Sequence, residues 1–230
     1  MNTLVVPLLL ALLQTPPPEA LHYRFEEVKS TVRCWPGGDK AKEVKVAQGD
    51  GAASGDTVRT GWWGRTVLSE ATRGARFEVY ASTQVKLTAG EPGVLLTLEQ
   101  GRIKCIFQAL VGGGRVERRV AVPGALLAVR GTTYGVEVDK AGRTTLAVFE
   151  GVVEILGKGP HAEPILVKAG EWSTFGPSQE PKVEANHGKG FEEKAWSQGM
   201  RPDGSMAPGS RVPAVVGRGM PHPTPGPKGH

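Results

Sequence analysis

The sequence predicts an all-β domain, a solenoid-like or sandwich-like stack of short strands, followed by a disordered C-terminal tail. Three observations carry this expectation. Between Val44 and Phe175 apolar and polar residues alternate over many short stretches, and a period of two marks strands with one packed and one solvated face. Glycine-containing turns separate these stretches at spacings of about 8–12 residues, as in sandwiches, barrels and solenoids. Glycine (32) and proline (18) together exceed a fifth of the 230 residues. The average is roughly 12%, so turns are frequent and part of the chain is expected not to pack.

From the N-terminus, Leu4 to Leu13 is an almost unbroken apolar run ended by Gln14. Such a run suits the core of an export signal, because a membrane-spanning helix needs ~20 apolar residues. Residues 1–20 are therefore read as a signal peptide. The mature chain is expected to be exported, periplasmic or extracellular, with no membrane span. Pro16-Pro17-Pro18 is a stiff spacer. Residues 21–43 are read as an N-terminal lead-in containing a turn at Cys34-Trp35-Pro36-Gly37-Gly38.

Residues 44–176 hold the strand candidates: Glu43–Ala47 at the boundary, then Thr57–Thr60, Thr66–Ser69, Arg76–Ala81, Val85–Thr88, Val94–Glu99 and Arg102–Leu110. Arg115–Val122, Leu126–Val129, Tyr134–Val138, Thr144–Phe149, Val152–Leu156, Ile165–Val167 and Trp172–Phe175 follow. Ile103, Cys105, Phe107 and Ala109 share one side of their strand, with Arg102, Lys104 and Gln108 on the other. Val136 and Val138 oppose Glu137, and Thr144–Phe149 reads as buried on both faces. Asp139 to Arg143 is a hairpin loop in which Gly142 supplies a positive φ; Gln100-Gly101 and Glu150-Gly151 are expected to turn the chain more tightly. Residues 177–230 are rich in Pro, Gly, Ser and Lys and bury too little to offset chain entropy, so a largely disordered tail is expected. Phe191 to Gln198 could form a brief helical turn.

Six motifs in this region occur in order. They are Val44-Lys45-Val46-Ala47-Gln48-Gly49, Gly55-Asp56-Thr57-Val58-Arg59-Thr60-Gly61, Leu98-Glu99-Gln100-Gly101-Arg102-Ile103, Ala128-Val129-Arg130-Gly131-Thr132-Thr133-Tyr134-Gly135-Val136-Glu137-Val138, Phe149-Glu150-Gly151-Val152-Val153-Glu154-Ile155 and Ala169-Gly170-Glu171. Together they resemble the FecR domain family over more than half of the chain. The resemblance implies an extracytoplasmic β-rich domain that works by protein contact. No counterpart of the cytoplasmic segment with which the sigma-regulator members handle a sigma factor is expected, because the apolar run starts at residue 4, and the chain resembles a stand-alone exported relative.

The candidate site residues divide into structural and binding groups. Arg130, Gly131 and Thr132, with Glu150, Gly151, Gly170 and Glu171, are read as fold-defining: Gly131 permits a bulge or close backbone approach, and Arg130 is expected to pair with Glu150 or Glu171. Trp62-Trp63, bracketed by Gly61 and Gly64, is the binding candidate. Neighbours on an extended segment point to opposite faces, so one core can hardly hide both rings. Exposed tryptophans at a turn anchor protein or sugar contacts; alternatively, both rings fold back and seal the edge of the stack. Cys34 and Cys105 allow one disulfide in an oxidising compartment, or serve as two small buried hydrophobes.

The remaining inventory excludes more than it suggests. No metal site or cofactor is expected, because two thiols and five scattered His lack ligand spacing. Catalysis is not expected: Ser69, Ser82 and Ser173 lack a nucleophile-elbow setting, and Gly112-Gly113-Gly114 lacks the Lys-Ser/Thr of a phosphate loop. The net charge of +5 is mild. Strand alternation splits Arg115 and Arg119 from Arg118, so a solvated face is expected and nucleic acid is not a partner. The expected partner is another envelope protein, acting in sensing or scaffolding; the alternative is a carbohydrate or envelope polysaccharide held by Trp62 and Trp63.

Overall fold

The computed structural model describes residues 20–88, 92–109, 117–157, 163–185 and 192–207. The apolar run, the triple proline, the triple glycine, Arg115 and the chain beyond 207 lie outside the described residues. Seventeen strands and one short α-helix are present among those described.

The strands form two layers. The first runs, in spatial order, β4 (Gly51–Ala53), β1 (His22–Lys29), β6 (Arg65–Glu70), β7 (Ala75–Val79), the C-terminal half of β9 (Val94–Phe107), β12 (Thr133–Val138), β13 (Thr144–Glu150), β16 (Glu171–Phe175) and β17 (Lys182–Ala185). The second runs β3 (Val44–Lys45), β2 (Val32–Trp35), β5 (Thr57–Thr60), β8 (Gln84–Leu87), the N-terminal half of β9, β10 (Arg119–Val122), β11 (Ala125–Val129), β14 (Val152–Gly157) and β15 (Ile165–Lys168). Every pairing is antiparallel except β9 with β10. The long β9 belongs to both layers and joins them into one curled sheet.

Alternation sets what lies between the layers. Phe77, Cys105, Tyr134 and Val148 are registered neighbours on the inner face of the first layer. Val58 and Val85, and Val120, Leu127 and Ile155, play the same part in the second. All are buried in one core, each contributing roughly 1.5–3 kcal/mol for the larger side chains. Phe107 stacks on Tyr134, with centroids 6.1 Å apart, and meets Phe77 edge-on at 5.8 Å.

From β5 onward the chain changes layer at nearly every second strand, and glycines mark the corners. Gly101, Gly131, Gly151 and Gly170 all have positive φ there. A Cβ on Gly101 would lie 2.4–2.7 Å from Thr83, and one on Gly151 would lie 2.8 Å from the Gly131 carbonyl oxygen. The corners stack: Ala169 N–H donates to Gly151 O and Gly170 N–H to Val148 O. The Asp139–Arg143 loop closes as expected, the Asp139 carboxylate accepting from the Ala141 and Arg143 amides at 2.9 Å.

Four expectations are corrected. Residues 21–43 are not a lead-in: they supply β1 and β2, with Tyr23, Phe25, Val32 and Cys34 in the core. Charge-rich outer positions concealed them. Gln100-Gly101 is no hairpin, because β9 passes through it unbroken and bends from one layer to the other. Arg118 is buried rather than solvated; its guanidinium donates to Gln108 O at 2.6 Å and lies over the Phe107 ring. The tail is ordered in part, since Lys182–Ala185 pairs with β16 and residues 192–207 pack on the first layer. Within that segment the helix α1 (Glu193–Ser197) falls inside the expected helical turn.

Candidate interaction surfaces

The chain crosses from β5 to β6 through Gly61-Trp62-Trp63-Gly64. Gly64 N–H donates to Gly61 O at 3.0 Å, closing a tight turn. Gly61 N–H donates to Thr31 O at 2.8 Å and Gly61 O accepts from Ser82 N–H at 3.0 Å, so the turn is pinned from both sides. A Cβ on Gly64 would lie 2.3 Å from Thr31 O, which is why the pair is followed by glycine. The indoles stand outside this pinned backbone, Trp62 62% and Trp63 55% exposed. Their rings meet edge to face, 6.5 Å between centroids at 80°.

The other sequence candidates are positioned as parts of the fold. Thr132 is buried and donates to Val152 O at 3.0 Å, tying one corner to the next. Glu171 accepts from Lys168 N–H at 2.8 Å inside its own turn, and Glu150 accepts from the Thr133 hydroxyl at 3.5 Å. Arg130 is exposed and pairs with neither carboxylate, since at the corner its side chain leaves the sheet for water. Cys34 and Cys105 are free, buried thiols on separate layers. Burial pushes both up to about 12, Cys34 with help from the nearby Asp56 carboxylate.

A second surface was not foreseen. The outer face of the first layer carries Glu78, Lys104, Gly135, Ala147 and Trp172 in one registered row, and Arg102, Glu137, Thr145 and Thr174 in the next. Alternation alone would solvate them all, yet Glu78, Arg102, Lys104 and Glu137 are buried. Residues 192–207 lie over them as a strap. Trp196, 2% exposed, occupies a slot that exists because Gly135 has no side chain; a Cβ there would sit 2.2–2.6 Å from the indole. The indole N–H donates to Ile103 O at 3.2 Å, and the Arg102 guanidinium lies 3.9 Å above the ring.

Ion pairs surround the slot. Lys104 bridges Glu78 and Glu193 at 2.8 Å each. Glu137 receives Arg102 at 2.7 Å and also binds Arg201 of the strap. Burial opposes the Glu137 charge, but the Arg201 and Arg102 guanidiniums overcome it and hold the carboxyl below its ordinary value. Glu78 is likewise held low, burial being outweighed by Lys104 and then Arg65. The sequence did carry signs of this surface: a glycine within a strand, and Thr144–Phe149 buried on both faces, as Ala147 now shows.

Among the described residues no helix is long and apolar enough to cross a membrane. No family model matches the chain, and no curated protein matches it significantly. Two crystal structures of a "putative anti-sigma factor" from Parabacteroides distasonis are similar to it, each at 16% identity with a TM-score of 0.48. Each likeness covers 62% of this chain and 64% or 65% of that one, so the chain spans just under two thirds of those proteins' length.

Proposed function

We propose that this chain is a non-catalytic binding module of the cell envelope, exported by its N-terminal apolar run, that docks another protein through Trp62 and Trp63. The observation that carries this reading is the pair of exposed indoles on a turn pinned by three backbone hydrogen bonds. Large aromatic side chains held on a rigid backbone lose little freedom on binding, so their burial converts efficiently into affinity. The 80° angle between the rings favours a protein pocket over a sugar, since perpendicular indoles form a wedge rather than a flat stacking platform.

The test is Trp62→Ala with Trp63→Ala. More than half of each indole is exposed, so the double variant should melt within about 2 °C of the parent. Each truncated anchor should weaken the partner about 30-fold, corresponding to ~2 kcal/mol. Photo-crosslinking from either position should label a protein in envelope extract. Glycan-array binding lost in the double variant would replace the protein reading with a polysaccharide one, and a large fall in melting temperature would assign the pair to packing.

A further inference from the structure

We infer that the outer face of the first layer is a peptide-binding site and that residues 192–207 are its built-in occupant. The ligand it fits is a segment of a partner protein with an acidic residue, a tryptophan three positions on and an arginine five further, the spacing of Glu193, Trp196 and Arg201. This site goes beyond the tryptophan corner and stands independently of it.

Three features distinguish an occupant from a part of the fold. First, the strap closes its own backbone hydrogen bonds: Trp196 N–H donates to Glu192 O, Arg201 N–H to Ser205 O and Ala207 N–H to Gly199 O. It adds no strand to the sheet, and Met200 and Met206 bridge within it. Second, its hold is that of a recognition motif. One tryptophan fills the Gly135 slot, Glu193 meets Lys104, Arg201 meets Glu137, and Arg102 donates to the Trp196 and Met200 carbonyls at 2.9 and 3.2 Å. A buried aromatic ringed by charge pairs is the composition of a binding hot spot.

Third, the face survives uncovering. Lys104 pairs with Glu78 and Arg102 with Glu137 within the sheet itself, so without the strap these groups remain paired and gain water. The apolar core points to the other side of the same strands. Removing the strap therefore exposes a charge-balanced surface with one empty aromatic slot, floored by Gly135 and Ala147 and edged by Phe149, whose ring meets Trp196 at 6.2 Å, and a segment of the same chemistry fills it in trans.

The experiment uses the full chain and a fluorescein-labelled peptide of residues 192–207. Trp196→Ala empties the slot, and this variant should bind the peptide at least 10-fold tighter than the parent chain by fluorescence anisotropy. A peptide with alanine in place of its tryptophan should not bind. Adding Gly135→Ala to the variant should abolish binding, because the new methyl group occupies the slot. In the unmodified chain, hydrogen exchange of residues 192–207 should be faster than that of β9 and β12, since the strap opens while the sheet stays closed. Equal exchange of strap and sheet, loss of β9 and β12 protection in either variant, or no peptide binding by the intact Trp196→Ala chain would each overturn the inference.

Discussion

Gly151 and Gly170 both turn the chain between layers at positive φ, +78° and +82°, yet they face different surroundings. The space beside Gly170 is open, whereas a Cβ on Gly151 would lie 2.8 Å from a backbone oxygen and 2.9 Å from the Thr132 hydroxyl. Gly170→Ala is therefore expected to cost only the left-handed backbone penalty, about 1–2 kcal/mol. Gly151→Ala adds a clash that the stacked corner cannot relieve, and about 2–4 kcal/mol is expected. Urea unfolding of the two variants measures the difference; equal midpoints would show that the corner gives way. The same reasoning separates the motif residues. Thr132 and Gly151 hold one corner to the next, while Arg130 reaches into solvent with no carboxylate to meet it.

On the scale of elements, the strap is held by charges whose state depends on pH. Glu137 faces Arg102 from β9 and Arg201 from the strap, and its carboxyl titrates below the ordinary value. A depressed carboxyl contributes its full stabilisation above the unfolded value, about 4.3, and loses it as pH falls through the lower folded value. Strap protection in hydrogen exchange should thus be flat from neutrality to about pH 5 and decline below about pH 4. Glu137→Gln removes the charge at every pH and leaves two guanidiniums without their anion. The link it takes from the strap is the charged hydrogen bond to Arg201, so the strap should loosen at neutral pH by about 1.5–3 kcal/mol and the acid response should flatten. An unchanged acid response in this variant would move the titration to another group, with Glu78 next.

On the scale of the whole molecule, β1 and β2 decide where the domain begins. A chain begun at Val44 would lack Phe25 and Val32, both fully buried, and would leave β5 and β6 without one neighbour each. Such a chain is expected to lose its fixed tertiary packing, with near-UV circular dichroism collapsing and a hydrophobic dye binding; retained near-UV signal would restore the boundary read from sequence.

Much of the rest was legible before the fold was known. Strands from Leu126 to Phe175 followed from alternation and the turn at Gly151 from its glycine, whereas Gly101, read as a turn, is a bend within one long strand. Alternation and a glycine turn are both local properties: the backbone sends successive side chains to opposite faces, and only glycine takes positive φ without strain. The strap was not legible, because its contacts join Arg102 and Ile103 to Trp196 across 94 and 93 positions, and a tail rich in Pro, Gly, Ser and Lys reads as solvated. By itself the sequence determined an all-β chain, its inner and outer faces and its turn at Gly151, since these depend on neighbours along the backbone. Only the tertiary structure decided that β1 and β2 complete the layers, that Trp62 and Trp63 are both more than half exposed, and that a charged outer face is covered by a distant segment. Each of these depends on which surfaces meet in space, and a period of two says which way a side chain points without saying what lies there.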